Sequence, residues 1–193
     1  MSRFDEYKVR NFRQKDLNIE TTPICTLLCS QCKRTTFIDL NDRVPIGKDI
    51  TPKQFEKLIN YFNQITFCGQ LSDPVFNKDF LKLLEMCAKV GVSTRVLTAA
   101  TGRSEDWYKR AFEIHPKAKW TFGIDGPPEI SHKYRVNQDG VFLFKMMVLA
   151  KSMGLKVFWQ YIIFPWNEKY VEKCKRKAKK LGIQIEFIVS ERE

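Results

Sequence analysis

From Leu17 onward, short runs of β-branched and aromatic residues alternate with longer stretches whose apolar positions recur at helical spacing. LNIETT reads as a first short strand. TPKQFEKLINYF reads as a helix in which Thr51 is the N-cap, Pro52 takes the first helical position and Gln54 completes a capping box. Phe55, Leu58, Ile59 and Phe62 form its inner face. The strand QITFCG follows directly. NKDFLKLLEMCAKVG is then a helix closed by Gly91, STRVLTAA a strand, and SEDWYKRAFEIH a helix capped by Ser104 with two acids in its first turn. KWTFGID, VFLFKMMVLAKSMG, KVFWQYIIF, a lysine-rich helix and IQIEFIV complete the series.

Six strands separated by five helical segments imply parallel pairing through right-handed crossovers, in an open doubly wound sheet or in part of a barrel. Both architectures place chemistry at the carboxyl ends of the strands. The rim loops are then the segment after the first strand, CGQLSDP after the second, TAATGR after the third, DGPPEISHKYR after the fourth and FPWNE after the fifth.

The length of 193 residues suits one domain, and no linker or low-complexity tract divides it. The densely charged opening, MSRFDEYKVRNFRQKD, is not a secretory leader, and no apolar run approaches the ~18 residues of a membrane span. A soluble, cytoplasmic protein is expected. The formal charge is +11, and Lys169 to Lys180 holds seven basic residues against the single acid Glu172. Val171, Cys174, Ala178 and Leu181 give that segment an apolar stripe, so its lysines form either a solvated outer face or a surface for nucleic acid.

ETTPICTLLCSQCKR places Cys25, Cys29 and Cys32 within eight positions. In a reducing compartment such clusters are metal ligands or catalytic groups more often than disulfides. Structural zinc prefers four ligands, and the remaining cysteines are scattered: Cys87 and Cys174 fall on apolar helix faces, and Cys68 stands alone. Three thiolates on an iron-sulfur cube leave one iron open to a small molecule.

The CxxxCxxC spacing after the first strand of a βα protein resembles the signature of the radical S-adenosylmethionine superfamily. The resemblance runs from about Leu17 to Val189 and implies a six-stranded parallel partial (β/α)6 barrel occupying the whole chain, 1–193. It also implies a 4Fe-4S cluster on Cys25, Cys29 and Cys32, with the amine and carboxylate of S-adenosylmethionine chelating the fourth iron. One electron from the cluster then cleaves the cofactor to methionine and a 5′-deoxyadenosyl radical, which takes hydrogen from the substrate.

Carried over residue by residue, FCGQLSDPVFN is similar to the CGNxGDP form of peptide-modifying members and implies cofactor contacts from Gly69, Gln70, Ser72 and Asp73. Ser72 stands where those members have glycine, so a positive φ there would mean strain or a different loop. Thr98 matches a ribose or carboxylate contact, while Ala99 and Ala100 lack the usual side-chain amide. Asp125 and Arg135 match the fourth-strand region, where Gly123 replaces a common serine and His132 a common acid. Ile163 and Asn167, followed by Glu168, match the segment flanking the adenine. Gln31 replaces the aromatic residue that commonly precedes the last cysteine.

No cysteine-bearing extension follows Val189, so no auxiliary cluster is expected. A peptide or protein substrate is favoured by the loops, with a flavodoxin or ferredoxin as electron donor. The alternatives are the same chemistry on a nucleic acid or nucleotide, suggested by the 169–180 segment, and a non-catalytic zinc- or iron-binding interaction module.

Overall fold

The computed structural model describes residues 16–190; the charged opening segment and the final 191–193 lie outside the described residues. Strands β1 (Asp16–Ile19), β2 (Gln64–Phe67), β3 (Ser93–Thr98), β4 (Lys119–Gly123), β5 (Lys156–Ile163) and β6 (Gln184–Val189) form one sheet in chain order. Every adjacent pair is parallel. The helices are α1 (Lys33–Asn41), α2 (Pro52–Ile59), α3 (Phe80–Val90), α4 (Glu105–Ile114), α5 (Gly140–Ser152) and α6 (Val171–Lys180). A strand order that never reverses makes successive right-handed crossovers stack their helices on one face. That rules out the doubly wound alternative and leaves the other face bare.

On the covered face, Ile65, Phe67, Val96, Trp120, Phe122 and Trp159 pack against Phe55, Phe80, Leu83, Phe112 and Met146. Each such buried side chain contributes roughly 1.5–3 kcal/mol. Cys87 and Cys174 belong to this core, as their helix positions imply. On the bare face, period-two alternation presents Thr66, Arg95, Thr121, Gln160 and Glu186. Arg95 on β3 and Glu186 on β6 lie three strands apart, about 14 Å along a flat sheet, yet their side chains meet at 3.1 Å. The face between them is concave, as in part of a barrel.

Local signals hold closely. The Thr51 hydroxyl accepts the Gln54 amide while the Gln54 side chain accepts the Thr51 amide at 2.9 Å. Gly91 ends α3 with φ 73°. Four differences have physical causes. Strand β1 stops at Ile19 because Glu20 turns toward the β2 loop. Leu58 and Phe62 are half-buried, Phe62 because α2 ends before it, at Ile59. Helix α1 was hidden because KRTTFIDLN has no amphipathic stripe and carries two adjacent β-branched threonines. The basic helix begins at Val171 because Glu168–Tyr170 form a 3-10 turn. No helix among the described residues is long and apolar enough to cross a membrane.

Candidate metal and cofactor site

The segment carrying Cys25, Cys29 and Cys32 has few regular backbone bonds of its own, and three neighbouring loops hold it. Ile24 carbonyl accepts from the Asp73 amide at 2.9 Å, and the Thr26 hydroxyl donates to Thr101 carbonyl at 3.2 Å. Val136 carbonyl accepts from the Leu28 amide, and the Asn137 side chain donates to Thr26 carbonyl. Leu27 and Cys29 pack on Ala100. Small side chains at Ala99 and Ala100 therefore serve as the seat of the cysteine loop, a role an amide side chain would obstruct.

All three thiols are free and line one cleft at the carboxyl rim, together with Arg34, Gly69, Gln70, Ser72, Asp73, Thr98, Arg135 and Gln160. Burial pushes the Cys25 thiol up to about 12, reinforced by the Asp73 carboxylate. Burial likewise raises Cys29 to about 11, opposed by Arg135. Both thiols therefore hold their protons at neutral pH.

Asp73 is the hub of the loops. Its carboxylate accepts from the Thr98 hydroxyl (2.9 Å) and from the amides of Ala99 (2.8 Å), Ala100 (2.9 Å) and Val75 (3.3 Å). Burial pushes the Asp73 acid up, while these donors pull it back. Every lone pair it offers is directed into the protein. Ser72 does not adopt positive φ; its hydroxyl donates to Glu20 at 3.1 Å. The loop differs from the glycine form rather than straining. Gly69 is the position that tolerates nothing larger, because a Cβ there would lie 1.7 Å from the Ser72 carbonyl oxygen.

Arg135 pairs with fully buried Asp125, Nε to Oδ2 at 2.7 Å. The Nε–H does not point at that oxygen, and Nη2 to Oδ1 is 3.5 Å, so the contact is one of charge more than of directed hydrogen bonds. Asp125 also accepts from the Ile162 amide at 2.8 Å. The Arg135 guanidinium lies over Gly123, where a Cβ would meet Nη2 at 2.9 Å. This explains glycine in place of the expected serine. His132 sits exposed in the 3-10 turn Pro128–Lys133.

Asp125, Ile163 and Asn167 do not line the cleft. Asn167 builds the turn after β5: its side-chain Oδ1 accepts from the Phe164 amide at 2.8 Å, and its side-chain NH2 donates to Ile162 carbonyl at 3.0 Å. Ile163 packs on the main core. Three residues that sequence reasoning passed over hold the rim together. Glu20 accepts from the amides of Gln70 (2.7 Å) and Leu71 (3.1 Å). Gln138 donates to Ala99 and Gly123 carbonyls at 2.6 and 2.9 Å. Arg34 donates to Pro23 and Leu71 carbonyls at 2.7 and 3.1 Å. Only Glu20 carried a signal, as an acid closing a strand.

No protein-family model and no curated protein matches this chain. Solved structures do. SuiB of Streptococcus suis aligns with a TM-score of 0.72 at 14% identity over 94% of this chain and 41% of its own. The anSMEcpe structure with bound S-adenosylmethionine aligns at 0.71 and 20% identity over 92% and 50%. Methylornithine synthase PylB aligns at 0.67 and 15% identity over 95% and 56%. This chain has the radical S-adenosylmethionine fold. It spans about half the length of those proteins. Within the radical S-adenosylmethionine fold, the three cysteines occupy the loop after β1, and the cleft they line opens at the carboxyl ends of the strands.

Proposed function

We propose that this chain is a radical S-adenosylmethionine enzyme whose Cys25, Cys29 and Cys32 hold a four-iron four-sulfur cluster, acting on a peptide or protein. The observation that carries the reading is the convergence of three free thiols and the β2, β3 and β4 loops on one cleft. The donor set fits the group: soft thiolates favour iron-sulfur clusters. Among the described residues no three of His, Cys, Asp and Glu converge closely enough for a single metal ion. Thiolates that each bind a different iron need no such convergence.

When bound, the cluster supplies the electron that cleaves S-adenosylmethionine to methionine and a 5′-deoxyadenosyl radical able to abstract hydrogen. The chain's own residues bind and orient. Gly69, Gln70 and Ser72 shape the loop beside Cys32, whose thiol lies 3.7 Å from the Gln70 carbonyl oxygen. Arg135 lines the cleft and, although Asp125 balances its charge, keeps an Nε–H without a hydrogen-bond partner from which a carboxylate could accept. Tyr134 and Ile162, which line the adjoining recess with Cys29 and Cys32, offer apolar surface for a purine. Asp73, Thr98, Asp125 and Asn167 act one step back, by fixing these loops, and Ile163 supports them from the core.

Support for a peptide substrate comes from similar structures solved with peptides: SuiB with precursor peptide SuiA, and anSMEcpe with the Cp18Cys peptide. A flavodoxin or ferredoxin would deliver the electron. Iron and sulfide analysis after anaerobic reconstitution tests the reading. Alanine at Cys25, Cys29 or Cys32 should abolish both, and alanine at Cys68, Cys87 or Cys174 should leave both near the parent's content. Tightly held zinc without sulfide would overturn it.

A further inference from the structure

Among the described residues, the cleft contains a buried cation without an anion. Arg34 is 6% exposed and follows the last cysteine by two residues, on the first turn of α1. Its Nη1 donates to the carbonyls of Pro23 and Leu71, which anchors the guanidinium between the cysteine loop and the β2 loop. Its Nε–H is buried and has no partner. No carboxylate among the described residues lies within ion-pair distance. The contrast with Arg135 is sharp, since that buried arginine has Asp125.

A buried guanidinium whose Nη1 donates to two backbone carbonyls and whose Nε–H has no partner is unfavourable unless a negative group joins it. An unpartnered buried N–H adds to that cost. The charge lines the same cleft as three thiols whose ligand form is anionic. A cluster held by three thiolates carries net negative charge, and reduction adds one more. Resting on the cluster reading above, we infer that Arg34 is the counter-charge of the iron-sulfur cluster, donating its free Nε–H to a cluster or cysteinyl sulfur and raising the reduction potential. Net charge and hydrogen bonds to sulfur are among the quantities that set such potentials. A fixed cation beside the cluster stabilises the more negative, reduced state. It thereby eases entry of the electron on which cofactor cleavage depends.

The test is a redox titration of anaerobically reconstituted protein, followed by electron paramagnetic resonance without S-adenosylmethionine. Arg34→Gln should retain iron and sulfide while lowering the equilibrium constant for reduction at least tenfold, about 59 mV for one electron. Arg34→Lys, which keeps the charge, should lose less. A potential unchanged in Arg34→Gln with the cluster intact would overturn the inference. So would an unchanged potential with weakened S-adenosylmethionine binding, which would assign the charge to the cofactor carboxylate.

Should Arg34→Gln hold no cluster, the parent protein labelled with 15N-arginine decides. Hyperfine coupling between the reduced cluster and a labelled nitrogen, retained in Arg135→Lys, supports the assignment, and its absence overturns it. A parent that takes up no sulfide fails at the cluster itself, an outcome distinct from a cluster indifferent to Arg34.

Discussion

The Thr98 hydroxyl donates to the Asp73 carboxylate at 2.9 Å, tying the end of β3 to the loop after β2. The Ala99 and Ala100 amides complete the lock. Two rim side chains in position to meet a ligand are thus directed at each other. Asp73→Asn sets an NH2 group among donors and should lower stability by about 1–3 kcal/mol. Thr98→Val should cost about 1 kcal/mol. Urea unfolding measures both, and midpoints equal to the parent's would show that the lock is not structural.

Gly123 is required by Arg135. A serine or alanine there would place its Cβ 2.9 Å from Nη2 and 3.1 Å from the Ala99 Cβ. Overpacking of this kind costs about 1–3 kcal/mol. Gly123→Ser should displace the guanidinium from the cleft, leaving iron and sulfide content intact while weakening S-adenosylmethionine binding. Calorimetric titration of the reconstituted variant checks this, and parent affinity would contradict it.

His115 gives the fold an acid sensitivity remote from the rim. It is 5% exposed, its Nε2 lies 3.0 Å from the Thr94 hydroxyl, and burial lowers its pKa. The unfolded chain takes up a proton near pH 6.5, whereas the native histidine resists it until lower pH. Its contribution to stability is therefore full above about pH 6.5 and declines as pH falls toward the native pKa. Urea unfolding between pH 8 and pH 5 should show this loss, and His115→Gln should flatten it. An unchanged slope in the variant would reject the assignment.

Much of this arrangement was legible because it rests on local rules. The capping box at Thr51, the Gly91 terminus and the cysteine spacing each depend on a few adjacent residues. The division of labour at the rim was not legible. Sequence places Asp73, Asp125 and Asn167 at the strand ends, where ligand contact is expected; only tertiary geometry shows their polar atoms turned toward amides and carbonyls of neighbouring loops. Arg34 reads as one more surface cation until the loop after β2 folds over it. Gly123 reads as a missing serine until Arg135, twelve residues on, is seen lying across it.

The basic helix α6 docks through Cys174 and Ala178 and leaves Lys173, Arg176, Lys179 and Lys180 exposed. Lys177 instead lies 4.1 Å from the centre of the Phe144 ring, so its replacement would also disturb packing. Neutralising the four exposed residues together should weaken nucleic-acid binding and its dependence on salt, leaving cofactor cleavage at the parent rate. Filter binding across a salt series and a cleavage assay measure the two. A modified nucleotide that disappears in the quadruple variant would replace the peptide substrate with nucleic acid.

The proposed cluster on Cys25, Cys29 and Cys32 would give this chain radical S-adenosylmethionine chemistry. Anaerobically reconstituted protein, given dithionite and S-adenosylmethionine, should release methionine and 5′-deoxyadenosine in a reaction followed by chromatography. Cys25→Ala, Cys29→Ala and Cys32→Ala should each release none. A fully loaded four-iron four-sulfur protein that binds S-adenosylmethionine, accepts an electron and still yields no 5′-deoxyadenosine would contradict the account.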